Sequence, residues 1–585
     1  MGKQYTIERS HQIVLSVLKA NGIKKVVTSP GTTNITLVAS MMNDPWFEMY
    51  SSVDERSAAY IACGLAAESG EPIVLSCTGA TASRNYFPGL TEAYYRQLPV
   101  LAITSAQHSS RIGQYIPQVL DRSVCPKDLV KLSVDIPSIY NKQDEWNAIV
   151  KINKAVLELR HRGCGPVHIN LATDYKRNFS VKELPPVRII SRIMLYGEFP
   201  ELPKGRIGVY SGAHVPWNKE LTNVVDRFCS QYDAVVFCDH TSNYSGKYRV
   251  QGAIVGTQSC RDKSVFNTDL VIHIGNVSAD YAFMCAGQRA KQVWRVNEDG
   301  EIRDTFKKLT KVFEMPEIEF FKHYIDLESN VCKNNFLNEC KKVISEVRSR
   351  IDDDMIPFSN PWMAKQLSTK LPKGSILHLS ILNTIRSWSL FESTQCVSVF
   401  CNTGGFGIDG SLSSFLGGAL AQPEKLHILV IGDLAFFYDM NALGNRHFPK
   451  NTRILLINNG NGTEFKIYTN PGFQWGDDTD KFISAGKHYG NKSRKLVRHF
   501  AEDLGFEYIS ASNKNEFLSY IDKFTSSIKK EKPIFFETFT NDRDENDAQK
   551  YMNTLAEVGI MKAKSIVRDI LGETGVEIVK KVLRM

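Results

Sequence analysis

The sequence predicts an α/β protein built from three doubly wound parallel-sheet domains. Short apolar runs such as VLAITS, LVIHIGN and LHILVIGD are each followed by a helical pattern, and this alternation recurs in three blocks. Stretches of different character separate the blocks. A chain of 585 residues is long enough for three or four domains, each with its own core.

In the first block, 1–180, SHQIVLSVLKA reads as a helix and KVVTSP as a strand. A helix follows SPGTTN, another opens at Glu55, IVLSCT is a strand, a helix runs to Arg96, and VLAITS is the next strand. KELPPVR, from Lys182, carries two prolines and marks a linker. Beyond it RIGVYSG, AVVFCDH and LVIHIGN read as strands of a second α/β domain, 186–350, closed by a polar helical stretch from about Ile318 to Ile351. The third block, 356–540, repeats the alternation through ILHLS, CVSVFCN, LHILVIGD, RILLINN and PIFFETF. Residues 541–585 form a charged helical tail. Its end, VEIVKKVLRM, places Val576, Val579 and Leu583 on one helix face, as for a surface helix docked on its own domain.

Hydrophobic residues make up 43% and charged residues 23%, the proportions of a globular protein, and the net charge of +8 is spread without a basic block. Nucleic acid is therefore a poor partner. The N-terminal MGKQYTIERSHQ lacks the apolar core of a signal peptide, and no run approaches the roughly 18 apolar residues of a membrane span. A cytoplasmic protein is expected. Twelve cysteines without a C-x-x-C pair fit reduced, buried thiols better than disulfides or zinc.

Two segments carry candidate chemistry. From Gly432 the chain reads GDLAFFYDMNALGNRHFPKNTRILLINNGNG, an acidic corner after one apolar run and an Asn-Asn pair after the next, with Asp433 and Asn459 26 positions apart. That interval holds one βαβ crossover, so the two side chains can end neighbouring parallel strands. Alone, Gly, Asp and Asn there also suit ordinary strand-end turns. Far upstream, SSVDERSAAYIACGLAAESG puts Glu55 at the opening of an alanine-rich helix. By itself such a carboxylate is also explained by the helix dipole.

Taken with SPGTTN at Ser29, CTGATAS at Cys77 and GPVHINL at Gly165, the pattern resembles the thiamine-diphosphate-dependent enzymes. The resemblance names the blocks pyrimidine-binding, middle and diphosphate-binding. It implies Mg²⁺ held by Asp433, the Asn459 side chain and the Asn461 carbonyl, since magnesium takes near-octahedral oxygen ligands including phosphate. Gly432 and Leu434 would border the cofactor, and the amides of Gly460, Asn461 and Gly462 would cradle its diphosphate. Glu55 would be the carboxyl that promotes the imino tautomer of the aminopyrimidine. In this fold family Glu55 and Asp433 meet across subunits, so a homodimer or dimer of dimers is implied.

A narrower likeness rests on CNTGGFGIDGSLSSFLGGAL from Cys401, on YDMNAL, on GPVHIN and on Leu434 in place of a third glycine. These are similar to the decarboxylating carboligase family of menaquinone biosynthesis, the 2-succinyl-5-enolpyruvyl-6-hydroxy-3-cyclohexene-1-carboxylate synthases. The likeness implies decarboxylation of a 2-oxo acid and carboligation of the resulting enamine to an acceptor. Ile408 would be the wedge that bends the cofactor, although an apolar residue there also reads as ordinary core.

The departures concern the substrate. Family arginines that hold the carboxylates of 2-oxoglutarate and isochorismate are replaced: Thr32 and Thr33 stand for Ser-Arg, Asn402, Thr403 and Gly404 for Asn-Arg-Gly, and Ala106, Gln107 and His108 for Asp-Arg-Pro. Tyr281 stands near a family lysine. A threonine hydroxyl does not reproduce a bidentate Arg–carboxylate pair, so the menaquinone substrates are not expected. Gln114 and Arg386 keep the family's polar amide and arginine and are assigned, with Glu55, to catalysis. Thr32, Thr33, Arg84, Gln114, Arg386 and Thr403 are the candidate substrate contacts, each Arg being open to a plain salt-bridge role. A simple decarboxylase releasing an aldehyde is the alternative, against which no paired histidines occur between Ser105 and Val124. A flavin-binding middle domain has no clear motif, and an inactive scaffold is disfavoured by intact Glu55, Asp433 and Asn459.

Overall fold

Apolar runs with no polar alternation become strands covered on both faces, which is what a parallel sheet between helix layers requires. The structure, a computed structural model, describes residues 3–325, 334–393, 397–486, 488, 493–528 and 531–557. Two compact units are present: Met1–Phe199 with Asp299–Glu314, and Pro200–Glu298 with Met315–Met585.

The first sheet lies in the first unit. It comprises β1 (Lys25–Thr28), β2 (Glu48–Ser51), β3 (Ile73–Cys77), β4 (Val100–Ala106), β5 (Leu132–Ile136) and β6 (Val167–Ala172), ordered β2-β1-β3-β4-β6-β5. All pairs are parallel. Alternate residues point to opposite faces: Val26, Val74, Leu101 and Ile103 join one core cluster, and Val27, Ile73, Leu75 and Ala102 join another. The strand β7 (Ser191–Met194) is also in this unit.

In the second unit β8 (Ile207–Ser211), β9 (Val235–Cys238), β10 (Arg249–Val250), β11 (Thr268–Ile274) and β12 (Ala290–Val296) follow the parallel order β10-β9-β8-β11-β12. The first unit also holds β13 (Leu309–Glu314), parallel to β7. The third sheet, in the second unit, has β14 (Ile376–Leu379), β15 (Ser398–Phe400), β16 (His427–Gly432), β17 (Thr452–Asn458), β18 (Glu507–Ala511) and β19 (Ile534–Phe539), ordered β15-β14-β16-β17-β19-β18 and parallel throughout.

The α/β class with parallel sheets is thus as the sequence predicts. The polar stretch after Ile318 contains helices Glu317–Tyr324 and Asn335–Arg348. Of the C-terminal tail, Asp542–Asn553 is a helix that buries Ala548 and Met552. Val576, Val579 and Leu583 lie outside the described residues. Among the described residues no helix is long and apolar enough to cross a membrane.

Candidate active site

In the third sheet the strand order reverses between β15 and β16 around β14, the kind of switch point where open α/β sheets bind ligands beyond their C-terminal strand ends. Four consecutive positions in space follow from it. Arg386 lies on helix Asn383–Ser389 after β14, Asn402 and Thr403 follow β15, Asp433 is the first residue after β16, and Asn459 the first after β17. The parallel register pairs Gly432 with Ile457, so the ends carrying Asp433 and Asn459 are side by side.

Asp433 opens helix Asp433–Asp439 and is only 4% exposed. Its Oδ1 accepts from the Leu434 amide at 2.9 Å and its Oδ2 from the Gly460 amide at 2.7 Å. Burial nevertheless pushes the carboxyl up to about 7, because two neutral donors do not offset the lost hydration. Asn459 Oδ1 receives a long 3.4 Å bond from the Asn461 amide. The Oδ1 of Asn461 and the Oγ1 of Thr463 are buried with no hydrogen-bond partner among the described residues. Gly460 turns the loop with φ +86°, a left-handed conformation that glycine adopts without a Cβ penalty.

A buried, undercompensated carboxylate beside orphaned oxygens is the donor set a hard cation and a phosphate would complete. No group of three or more His, Cys, Asp or Glu side chains disposed around a metal is found among the described residues. The donors here are one carboxylate with amide, hydroxyl and carbonyl oxygens, which is a different kind of set.

Around this corner Leu434 is half-buried. A Cβ built on Gly432 meets nothing within 4 Å, whereas one on Gly462 comes within 3.0 Å of Phe465 and of the Ser484 carbonyl. Ile408 is partly buried against the core that contains Leu412, Phe415 and Phe436. Thr403 is buried, with its amide on the Cys401 carbonyl at 2.8 Å. Arg386 donates from Nη1 to Glu464 Oε2 at 2.6 Å, and its guanidinium lies 6.0 Å from the Tyr281 ring centroid. Any substrate carboxylate at Arg386 competes with Glu464, a partner that sequence spacing did not single out.

In the first unit Glu55 is the first residue of helix Glu55–Ser69, capped by Asp54, whose side chain accepts from the Arg56 amide. Glu55 is half-buried, and Asn85 donates to its Oε2 at 3.5 Å. Thr33 ties two loops together: its Oγ1 lies 2.5 Å from Thr78 Oγ1 and accepts from the Gly79 amide at 3.0 Å. Thr32 and Gln114 are exposed. Arg84 is exposed, donating to the Asp121 carbonyl at 2.9 Å and lying 5.2 Å from the Phe87 ring centroid. Gln107 accepts from Arg111 Nη1 at 2.6 Å.

A cavity of about 340 Å³ opens at the ends of β4 and β6, bordered by Thr33, Gly79, Gln107 and Arg122. Sequence reasoning passed over Arg122, because VLDRSVC carries no periodicity or motif that would mark a buried arginine.

Residues 9–124 match the family described as thiamine pyrophosphate enzyme, N-terminal TPP binding domain. Over nearly its whole length the chain is also similar to proteins named 2-succinyl-5-enolpyruvyl-6-hydroxy-3-cyclohexene-1-carboxylate synthase. That of Bacteroides thetaiotaomicron is 31% identical, covering 92% of this chain and 97% of the relative. Those of Bacteroides fragilis and Phocaeicola vulgatus are each 32% identical, covering 92% and 94% of this chain and 97% and 99% of the relatives. The chain belongs to this synthase family of thiamine-pyrophosphate enzymes.

Proposed function

We propose that the protein binds thiamine diphosphate with Mg²⁺, decarboxylates a 2-oxo acid and joins the remaining fragment to an acceptor. The observation that carries this is the buried Asp433 carboxyl at the end of β16, facing the β17 loop whose Asn461 Oδ1 and Thr463 Oγ1 lack partners. Asp433, Asn459 and Asn461 hold the cation; the amides of Gly460, Asn461 and Gly462, expected from the sequence to be open, donate here to Asp433, Asn459 and the Ser484 carbonyl, and must exchange those bonds to receive the diphosphate. The bound cofactor supplies the electron sink for loss of CO₂. Glu55, the first residue of its helix, shares a proton with the cofactor's pyrimidine. Ile408 supports the cofactor from the edge of the core.

The first block then binds the pyrimidine, 356–540 binds diphosphate and metal, and Glu55 of one copy serves Asp433 of another in a homodimer. The ten described cysteines are all free thiols, which suits a reducing, cytoplasmic setting. Thr33, Gln107 and Thr403 stand where arginine pairs with carboxylates in the family, so the substrates differ from the 2-oxoglutarate and isochorismate of that family. A panel of 2-oxo acids assayed for CO₂ release, with and without aldehyde or alkene acceptors, tests the reading. Release from at least one acid that depends on both thiamine diphosphate and Mg²⁺ is expected. Absence of release across the panel from protein shown to hold the cofactor overturns it.

A further inference from the structure

We propose that Arg122 is a substrate-binding residue that holds a carboxylate in the 340 Å³ cavity of the first unit, supplying from a new position the cation lost at Thr33 and Gln107. The inference rests on the 2-oxo acid reading for its place in catalysis, but the carboxylate site is argued from the first unit alone.

Arg122 is 7% exposed. Its Nη2 donates to the Ser105 carbonyl at 2.7 Å, while Nε and Nη1 are buried with no partner among the described residues. Two further buried groups bordering the cavity have no hydrogen-bond partner among the described residues, Ser105 Oγ and Asn170 Oδ1. A Cβ built on Gly79 would come 3.1 Å from the Ser105 carbonyl and 3.8 Å from Arg122 Nη2. The guanidinium therefore lies against the CTG loop, where the Gly79 amide binds Thr33. A buried guanidinium with unmet donors is unfavourable unless an anion completes it.

The surroundings select the anion. Asp135 is exposed at the rim, accepting from Asn170 Nδ2 at 2.7 Å, and Lys151 Nζ donates to its backbone carbonyl at 3.0 Å. Arg122 and Lys151 against Asp135 leave a single net positive charge. Ile112, Val119, Leu120 and Ile136 form apolar wall. A carboxylate on a short carbon chain fits both, and the planar guanidinium fork matches its geometry. It is either the distal carboxylate of the donor acid or a carboxylate of the acceptor.

Titration of full-length wild type, Arg122→Met and Arg122→Lys with glutarate, a non-reacting diacid, tests the site directly by calorimetry. Glutarate should bind the wild type and bind Arg122→Met at least about tenfold more weakly, with Arg122→Lys intermediate and thiamine-diphosphate affinity equal in all three. In turnover, Arg122→Lys should raise KM for a diacid donor by a larger factor than KM for pyruvate. If only the KM for a carboxylate-bearing acceptor rises, the acceptor is the molecule held. No binding of glutarate to the wild type, or equal affinity in folded variants, overturns the proposal. Should Arg122→Met not fold, unchanged glutarate affinity in Arg122→Lys, which keeps charge but not the fork, overturns it as well. Loss of thiamine-diphosphate binding by the wild type would sink the cofactor reading and leave the carboxylate site standing.

Discussion

Asp433 carries its carboxyl to a position only 4% exposed, and two backbone amides leave it undercompensated. A divalent cation bound there would replace a desolvation cost with direct ligation. Asp433→Ala should therefore abolish Mg²⁺-dependent binding of thiamine diphosphate, whereas Glu55→Gln should keep binding and lower turnover by about 10²-fold or more, since an amide cannot share the proton. Calorimetry beside steady-state assays separates the two, and an unchanged cofactor affinity in Asp433→Ala would reject its role as ligand. At this scale the sequence was legible for placement: the 26-residue interval does set Asp433 and Asn459 at the ends of neighbouring parallel strands. It was not legible where the partner decides. Nothing near Arg386 announces Glu464, 78 positions away, and nothing near Thr33 shows that its hydroxyl is already spent on Thr78 and Gly79.

The helix Glu55–Ser69 must be held in place for Glu55 to be useful, and its seat is tight. A Cβ built on Gly89, in helix Phe87–Tyr95, falls 2.4 Å from the Ala59 Cβ and 2.9 Å from the Ala59 carbonyl carbon. One contact is backbone, so the helices must separate to admit a methyl group. Gly89→Ala should destabilise the protein by about 1–3 kcal/mol through overpacking, read as a lower urea midpoint, and a midpoint equal to wild type would show that the seat yields. Elements differ in how far sequence reveals them. The strands β3, β4, β16 and β17 are apolar runs covered on both faces, and their period is plain. The strands β2, β5, β7, β10, β12, β13 and β18 were not singled out. Among them β2 and β10 are sheet-edge strands of four and two residues, and β18 is a half-exposed edge strand, so these three owe their conformation to a neighbour's ladder more than to their own pattern.

Assembly is where the Glu55 helix has one face too many. Its inner face buries Ala58, Ala59, Ala62, Cys63 and Ala66. On the outer face Tyr60 and Ile61 are 48% and 43% exposed, Gly64 and Ala67 are exposed as well, and Val53 just before the helix is 82% exposed. A helix apolar on both sides is usually buried on both, and an exposed apolar patch of this kind, here beside the Glu55 carboxyl, marks a contact surface. A second copy of the chain, placed by a two-fold axis, would cover the patch and bring its own Asp433 loop to Glu55. The protein should sediment as a homodimer or a dimer of dimers at micromolar concentration. Ile61→Glu, which puts a charge on the outer face without touching Glu55 or the inner core, should shift it toward monomer and remove activity together. Thiamine-diphosphate-dependent turnover by a monomer, in the wild type or in Ile61→Glu, would reject the shared site.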